Sequence, residues 1–540
     1  MEPLTLRMTM YQALRRVTED RPRQEALICG STRLTYGQLQ ERVDRTGTFL
    51  DHLGIRKEDR LIFLLPPGVD FITLFFAAAR QGAVVVPLDP RALPQRIIQV
   101  SEQVAPAHLV TAEPLSAPLL QELPSTITVH PVEKFSPGRM PEQPVASPPA
   151  VAPTDLLAIL YTSGTTGVPK GAMHTHRSLI APVVATLRVR ELWLHRPSPT
   201  RLIRMGRALL RYRERLLRAA GRPQIFLSTV GFHTITGIEV FLQALLMGDT
   251  LIVQPHFHPV EALELIQRER ATVLIAVPTA LAVMLRVENF DQYDLSSLLI
   301  CGTGSAPCPP NLAREIQQRL GCALHIGFGA TETGGGVAVP DIGDSREDQA
   351  ETVGRPLPGI EVRIADDQGR PLPPGEVGEL WVRGEGVMMG YWGTADLTAQ
   401  VLDEEGWYHT GDLAVMDERG YLRIVGRKKD MIIRGGRNIY PEAIERHLVS
   451  HPAIREAAVV GVPGRLGDEE IWAFVILEEG SDLTPRQIRE YCRGALETYQ
   501  IPQVVRILPD FPRTSTGKPQ KFRLREMALE GKAGNQKVGE

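Results

Sequence analysis

Lysine is scarce in this chain: nine Lys stand against fifty-one Arg. Where a sequence writes Arg almost everywhere, a Lys marks a place where a compact ammonium serves better than a planar guanidinium. Five of the nine, Lys170, Lys428, Lys429, Lys518 and Lys521, fall inside the motifs described below, although chance suffices to explain Lys428 and Lys521. Long apolar runs are missing as well. No eighteen apolar residues stand together, which excludes a membrane-spanning helix. The five cysteines, Cys29, Cys301, Cys308, Cys322 and Cys492, are odd in number and never spaced CxxC. That argues against a disulfide framework and against a zinc site. Neither sign of charge dominates, and a net charge of −3 gives no bulk attraction to nucleic acid. Met1 to Met10 has no apolar stretch of the secretory kind, so a cytoplasmic protein is expected. With 540 residues, 43% of them hydrophobic, the chain exceeds a single core and should split into two or more domains.

What is present centres on Tyr161 to Gly171, YTSGTTGVPKG. Thr162, Ser163, Thr165 and Thr166 supply hydroxyls, and Gly164, Gly167 and Gly171 let a backbone approach a ligand closely. Lys170 adds a point charge, so hydroxyls, N–H groups and an ammonium can converge on a polyphosphate. The apolar run Leu156 to Leu160 before it reads as a buried strand. The loop then falls at a strand end, where α/β sheets bind ligands. The spacing is not GxxxxGK[ST], since Pro169 and Gly171 occupy positions that pattern reserves for Gly and for Ser or Thr.

Along the chain, Leu34 to Gly54 reads as helix, Arg60 to Leu65 as strand, Phe71 to Gln81 as helix and Ala83 to Leu88 as strand. This rhythm marks a parallel sheet covered by helices. It resumes with strands at Ile225 to Thr229, Thr250 to Gln254, Ala271 to Val277 and Ser297 to Cys301, and with helices at His258 to Glu269 and Asn311 to Leu320. Gly327 to Glu332, GFGATE, places small residues beside a hydroxyl and an acid, suited to a nucleotide with Glu332 reaching a hydrated Mg²⁺. Beyond Gly354, short strands and Gly/Pro turns predict a smaller β-rich subdomain. Between Arg188 and Arg222 stand eleven Arg and two Glu. On a helical wheel Leu202, Ile203, Met205, Leu209, Leu210, Tyr212, Leu216 and Leu217 fill one half, with Arg204, Arg207, Arg211, Arg215 and Arg218 opposite and Arg213 out of place. Such a helix suits a membrane surface or an acidic partner, and an ordinary surface helix packing its apolar half on the core shows the same pattern.

In this order the motifs resemble the adenylate-forming superfamily of acyl-CoA synthetases, adenylation domains and luciferases. They are YTSGTTGVPKG, FHTITG at Phe232, GFGATE, GELWVRG at Gly378, WYHTGD at Trp407, GRKKDMIIRGGRNIYPEAIE at Gly426 and PRTSTGK at Pro512. The resemblance runs from about Leu14 to about Met527. It implies an α/β fold: a large N-terminal domain of helix-covered parallel sheets plus a β-rich subdomain over residues 1–426, then a small mobile α+β C-terminal domain over 427–540, hinged at Lys429. It also implies ATP, Mg²⁺ and CoA.

Carried over residue by residue, the loop from Thr162 to Lys170 would hold the ATP phosphates, and Ser305, Ala306, Gly327, Phe328 and Gly329 would line the nucleotide. Thr331 would touch the adenylate phosphate, Glu332 would bind Mg²⁺, Asp412 would accept from the ribose hydroxyls with Arg427 nearby, and Lys518 would be the catalytic lysine of adenylation. His233, Thr234, Gly237, Gly302, Gly304, Gly334 and Gly335 would form the acyl pocket, His233 lying beside the substrate carboxylate. Gly436 would leave the thiol path open. Two departures stand out: Phe328 replaces a common Tyr, and the usual proline before the aromatic of FHTITG is absent.

The activity implied is a stand-alone acyl-CoA ligase, with loading of a separate carrier protein as the alternative. The pocket residues are small or apolar without a second charge, so a fatty or aryl monocarboxylate with an apolar tail is expected. The partner expectations are that small acid, no nucleic acid, a peripheral membrane contact through residues 188–222, and a homodimer.

Overall fold

The structure is a computed structural model that describes residues 3–136, 138–140, 147–162, 169–195, 199–434, 437–464, 469–514 and 517–536. It forms two compact units. The first comprises Met1–Ser305, Glu315–Val362 and Val382–Tyr408, and the second Ala306–Arg314, Arg363–Trp381 and His409–Glu540.

Two parallel sheets build the first unit, as the strand and helix rhythm predicts. One has the spatial order Ala323–Ile326, Ile300–Thr303, Val273–Ile275, Ile225–Ser228, Thr250–Val253, Glu25–Cys29, Thr32–Thr35, antiparallel only at the last pair. The other runs Thr128–Pro131, His108–Thr111, Arg60–Leu64, Val84–Pro87, Leu156–Thr162, Lys170–Thr175, and again only the last pair is antiparallel. Strands buried on both faces read as continuous apolar runs, and Val84–Pro87 and Thr250–Val253 are buried throughout. A cluster of Phe71, Phe75, Phe232 and Phe241, with ring centroids 5.1 to 5.4 Å apart at its closest pairs, sits in the core. Phe232 is its link to the site, because the next residue is His233 and the helix Ile235–Met247 follows.

Turn-rich sequence after Gly354 gives the sheet Glu361–Ala365, Val377–Arg383, Tyr408–Met416, Leu422–Arg427, most of which belongs to the second unit. The rest of that unit is α+β. Ile454–Pro463 pairs antiparallel with Glu469–Leu477, which pairs parallel with Val504–Ile507. Helices Pro441–Val449 and Lys521–Gln536 pack on Ile454–Pro463, and Pro485–Arg493 packs on Val504–Ile507. Among the described residues no helix is long and apolar enough to cross a membrane.

Lys521, one of the scarce lysines, is structural. Its ammonium lies 2.8 Å from Glu445 and 3.6 Å from Glu442. Burial raises Glu442 to about 7, because it loses more solvation than the more distant ammonium returns. Lys521→Met leaves two carboxylates facing one another. It is expected to destabilise the second unit by about 3 kcal/mol at pH 8, the scale of a broken buried pair. The loss should shrink at pH 5.5, where Glu442 takes up a proton. Amide exchange of Ile454–Pro463 measures this, and a loss independent of pH would show that packing, not charge, is at stake.

Candidate active site

The segment expected to hold phosphates connects two antiparallel strands. Tyr161 pairs with Gly171 and Thr162 with Lys170, so the chain leaves the sheet after Thr162 and returns along its own edge. Ser163, Gly164, Thr165, Thr166 and Gly167 lie outside the described residues. The hairpin is braced from two sides. Arg96 Nη2 donates to the Thr162 carbonyl at 3.0 Å, its guanidinium 5.7 Å from the Tyr161 ring. On the other edge the segment 389–392 adds backbone hydrogen bonds, Met389 to Met173, Met173 to Gly390 and Trp392 to Gly171. That segment carries Tyr391, and the Lys170 ammonium lies 5.4 Å from its ring centre, within cation–π range.

The Tyr391 hydroxyl donates to Glu332 Oε1 at 2.7 Å. Glu332 stands in the 3-10 turn Thr331–Thr333, where Thr333 Oγ1 accepts from Ala330 N at 2.9 Å and donates to the Gly335 carbonyl at 2.8 Å. Met388 N donates to the Glu332 carbonyl at 2.8 Å, and His174 Nε2 lies 2.7 Å from the Thr331 carbonyl. His174 is fully buried. Desolvation lowers it to about 4, so at neutral pH it is an uncharged donor to that carbonyl, with Nδ1 3.1 Å from Ser178 Oγ. Among the described residues no cation pairs with Glu332, and no group of three or more His, Cys, Asp and Glu forms a metal cluster. The site thus offers one positioned carboxylate rather than a protein cage. That donor set fits Mg²⁺, which keeps water and phosphate oxygens as most of its ligands.

The residues expected at the acyl pocket lie on three elements. Thr234 caps the helix Ile235–Met247 by accepting from Gly237 N at 3.1 Å, and its hydroxyl donates to the Gly231 carbonyl at 2.8 Å. Gly237 cannot be replaced without movement, since a Cβ there would lie 2.2 Å from the Gly231 carbonyl oxygen. His233 packs over Gly231 with Nε2 3.7 Å from Asp89 Oδ2, and burial lowers its pKa. Ser305 is linked to the same helix by a 2.6 Å hydrogen bond with Thr236, and Ala306 follows it. Gly302 and Gly304 precede Ser305, and Gly327 reaches the Gly304 position through its carbonyl. Gly334 and Gly335 lead into the strand Gly335–Val339, whose partner strand begins at Phe328 and includes Gly329.

One side chain changes the character of this wall. Glu239, half-buried on the helix Ile235–Met247, accepts from Gly336 N at 3.1 Å and from Gln243 Nε2 at 3.0 Å. A Cβ on Gly335 would lie 2.8 Å from its carboxyl. The Glu239 carboxyl thus borders the glycines expected at the acyl pocket. Desolvation raises Glu239 to about 7, so it titrates close to physiological pH.

The remaining expected residues belong to the second unit. Arg427 Nε lies 2.7 Å from Asp412 Oδ1 and Nη2 3.3 Å from Oδ2, so the buried carboxylate and guanidinium form a two-point pair. Lys429 lies in the 3-10 turn Lys428–Asp430. Lys518 is exposed on a short turn, its carbonyl accepting from Thr514 N at 2.8 Å and its N–H donating to Thr514 Oγ1 at 3.1 Å. Gly436 lies outside the described residues.

Four residues escaped sequence reasoning: Arg96, His174, Glu239 and Tyr391. His174 lies three residues beyond the end of YTSGTTGVPKG and Glu239 two beyond FHTITG. Extending each motif by one helical or strand repeat would have found them. Arg96 and Tyr391 reach the site only through tertiary contacts.

Residues 14–392 match the AMP-binding enzyme family, and residues 443–518 match the AMP-binding enzyme C-terminal domain. The chain belongs to that family and to its class of AMP-forming acyl-CoA ligases. It is similar to the human mitochondrial medium-chain acyl-CoA ligase ACSF2, 32% identical over 562 residues, covering 96% of this chain and 87% of that protein. It is also similar to a feruloyl-CoA synthase of an Amycolatopsis species, 34% identical over 514 residues, 93% of this chain and 96% of that one. Among solved structures, the amide bond synthetase McbA from Marinactinospora thermotolerans superposes with a TM-score of 0.82 at 30% identity, covering 96% and 100% of the two chains. ATP use and CoA as co-substrate follow from the family.

Glu239 carries a pH prediction. Its folded-state pKa lies above the ordinary 4.5, so between pH 4.5 and about 7 the folded state binds more protons than the unfolded one, and stability falls as pH rises through that window. Glu239→Gln keeps an acceptor for Gly336 N and removes the titration. The variant should be more stable than the parent at pH 8, by about 3 kcal/mol for a shift of this size, and the gap should close at pH 4.5. Melting curves at the two pH values test it. A variant less stable at pH 8 would mean that the charged carboxylate is what holds Gly336.

Proposed function

We propose that this ligase activates a monocarboxylic acid with an apolar tail, fatty or aryl, and hands the acyl group to CoA. A carboxylate oxygen attacks the α-phosphorus of ATP, the bond to the bridging oxygen breaks, and pyrophosphate leaves with its electron pair. The thiol sulfur of CoA then attacks the acyl carbon of the adenylate, AMP departs, and the thiol proton passes to solvent. The observation that carries this reading is the join between Lys170, Tyr391 and Glu332, which sets a cation and a carboxylate at the mouth of the hydroxyl-rich loop.

The first step brings two anions together, so fixed charge aimed at the transition state helps most. Thr162, Ser163, Thr165, Thr166 and Lys170, with the glycines among them, bind phosphate oxygens. Glu332 would hold Mg²⁺, which would supply charge neutralisation on the phosphates. Tyr391 orients that carboxylate, and Thr331 contacts the adenylate phosphate. Asp412 holds the ribose, its carboxylate positioned by Arg427, which engages both of its oxygens. Lys518 meets the reacting phosphate during adenylation. Rotation about Lys429 then carries it away and brings Gly436 to line the thiol path. The small residues of the acyl wall favour an apolar tail, with Glu239 as a polar contact for a substrate that carries a hydrogen-bond donor. The same reading has the enzyme in the cytoplasm and attached peripherally to membrane through the Arg-rich helix.

Two substitutions separate the half-reactions. Lys518→Ala should slow adenylation about a hundredfold or more, the scale of one preorganised charge, while thioester formation from preformed acyl-adenylate stays near the parent rate. Gly436→Trp should do the opposite, leaving pyrophosphate exchange measurable and blocking the thiol. Equal losses in both half-reactions for either variant would refute the division of roles. AMP release with ATP, CoA and a panel of fatty, aryl and amino-aryl acids identifies the substrate.

A further inference from the structure

Fourteen large apolar side chains are exposed among the described residues, and five of them crowd one helix, Pro199–Ala219. Leu210 is 88% exposed, Leu217 65%, Ile203 58%, Leu202 53% and Leu209 50%. An amphipathic helix on a protein surface ordinarily buries such residues, and here it does not. The residues it buries are Ala208, Tyr212 and Ala219, which form a seam along the boundary between its apolar and basic halves. Of the readings the sequence leaves open, inward packing holds for Tyr212 and, in part, Leu216, while Leu202, Ile203, Leu209, Leu210 and Leu217 of the apolar half face outward.

The basic flank explains why. Arg204 lies 3.6 Å from the buried carboxylate of Asp344, which also takes Arg355 at 3.2 Å. Arg211 Nη1 donates to the Asp344 carbonyl at 2.9 Å, Arg215 to the carbonyls of Leu298 and Leu320, and Arg218 to Ser296. Rolling the helix to bury its leucines would break all of these bonds, so the body of the protein fixes the apolar face outward. The helix is kinked at Tyr212, where φ is −121° and ψ 21°. Before the kink, Leu202 with Leu209 and Ile203 with Leu210 form two adjacent columns at a spacing of seven, and exposed Leu217 follows beyond it. Exposed Arg207 borders it and exposed Arg213 lies within it, while Glu214 is the only acid of the helix.

We propose that this face is a docking surface for an anionic lipid bilayer. This deepens the peripheral attachment proposed above and commits it to an orientation: Ile203, Leu210 and Leu217 enter the acyl boundary while Arg207 and Arg213 extend to the headgroups. Charge decides against the other occupants. A second copy would set seven Arg and one Glu of this helix against the same seven Arg and one Glu. An acidic protein would answer the Arg side chains but not two bare apolar columns. A lipid surface answers both, and an acid with an apolar tail partitions into the same phase.

The test is co-sedimentation of the full chain with vesicles of phosphatidylcholine and phosphatidylserine, and with phosphatidylcholine alone. AMP release from a short, soluble acid is measured alongside, so failure of docking is told apart from failure of the ligase reading. The native protein should bind the anionic vesicles at low salt, bind the neutral ones at least tenfold more weakly, and be released near 1 M salt, where the Debye length falls to about 3 Å. Ile203→Ser, Leu210→Ser and Leu217→Ser together replace exposed side chains and so spare folding. This triple variant should bind at least tenfold more weakly than the native protein with unchanged AMP release. Arg207→Gln with Arg213→Gln should weaken binding and flatten its salt dependence. Three results would overturn the proposal. One is a native protein that stays in the supernatant. Another is binding that survives the serine variant but not the glutamine one, which marks a merely polyanionic contact. The last is a native dimer in sedimentation velocity that the serine variant converts to monomer without any vesicle binding, which marks a second copy.

Discussion

The contact between Tyr391 and Glu332 is the point on which the first unit's site depends, because it joins three sequence-distant elements in one place. The backbone of 388–392 forms hydrogen bonds with the returning strand of the phosphate hairpin on one side and with the Glu332 carbonyl on the other. The Tyr391 side chain then repeats that link, its hydroxyl on the Glu332 carboxylate and its ring toward Lys170. Cation and carboxylate are thereby held by a neutral intermediary instead of neutralising each other in a direct ion pair. A direct pair would satisfy both charges and leave little field for a polyphosphate. A phenol between them fixes their positions at small electrostatic cost.

His174 works by the same logic at the backbone. A charged imidazolium in that buried place would cost desolvation that the Thr331 carbonyl does not offset. Desolvation keeps it neutral, and it acts as a hydrogen-bond donor that pins the Thr331 carbonyl. With the carbonyls of Thr331 and Glu332 both engaged by the protein, the backbone of the turn is held in place. Preorganisation of this kind is what electrostatic catalysis requires.

The alternation of strand and helix was legible in the chain, and so were most element positions, because doubly buried parallel strands produce apolar runs that no turn residue interrupts. Motif residues were legible where the chemistry demands a rare type at a fixed spacing. Lysine scarcity was a partial guide. It drew attention to Lys170, which faces Tyr391, but Lys428 serves Glu379 and Asp367 and Lys521 serves two glutamates, ordinary structural pairs that composition cannot tell from catalytic ones. Tyr391 and Arg96 were invisible for another reason. Each contributes one contact across the fold, and no local period or spacing records a contact made between elements far apart in sequence.

The Arg-rich helix shows most clearly where a one-dimensional pattern stops. A wheel separates apolar from basic but does not say which boundary faces the protein. Hydrophobicity alone favours burying the leucines, yet several hydrogen bonds from guanidinium groups to carbonyls and to the buried Asp344 lie on the other flank. Asp344 in particular needs cations, since a buried carboxylate without partners costs far more than the exposure of one or two leucines. The orientation of the helix therefore follows from the need of a distant acid. The apolar face it leaves outward is a consequence of that need, available to whatever surface the rest of the protein's chemistry brings near it.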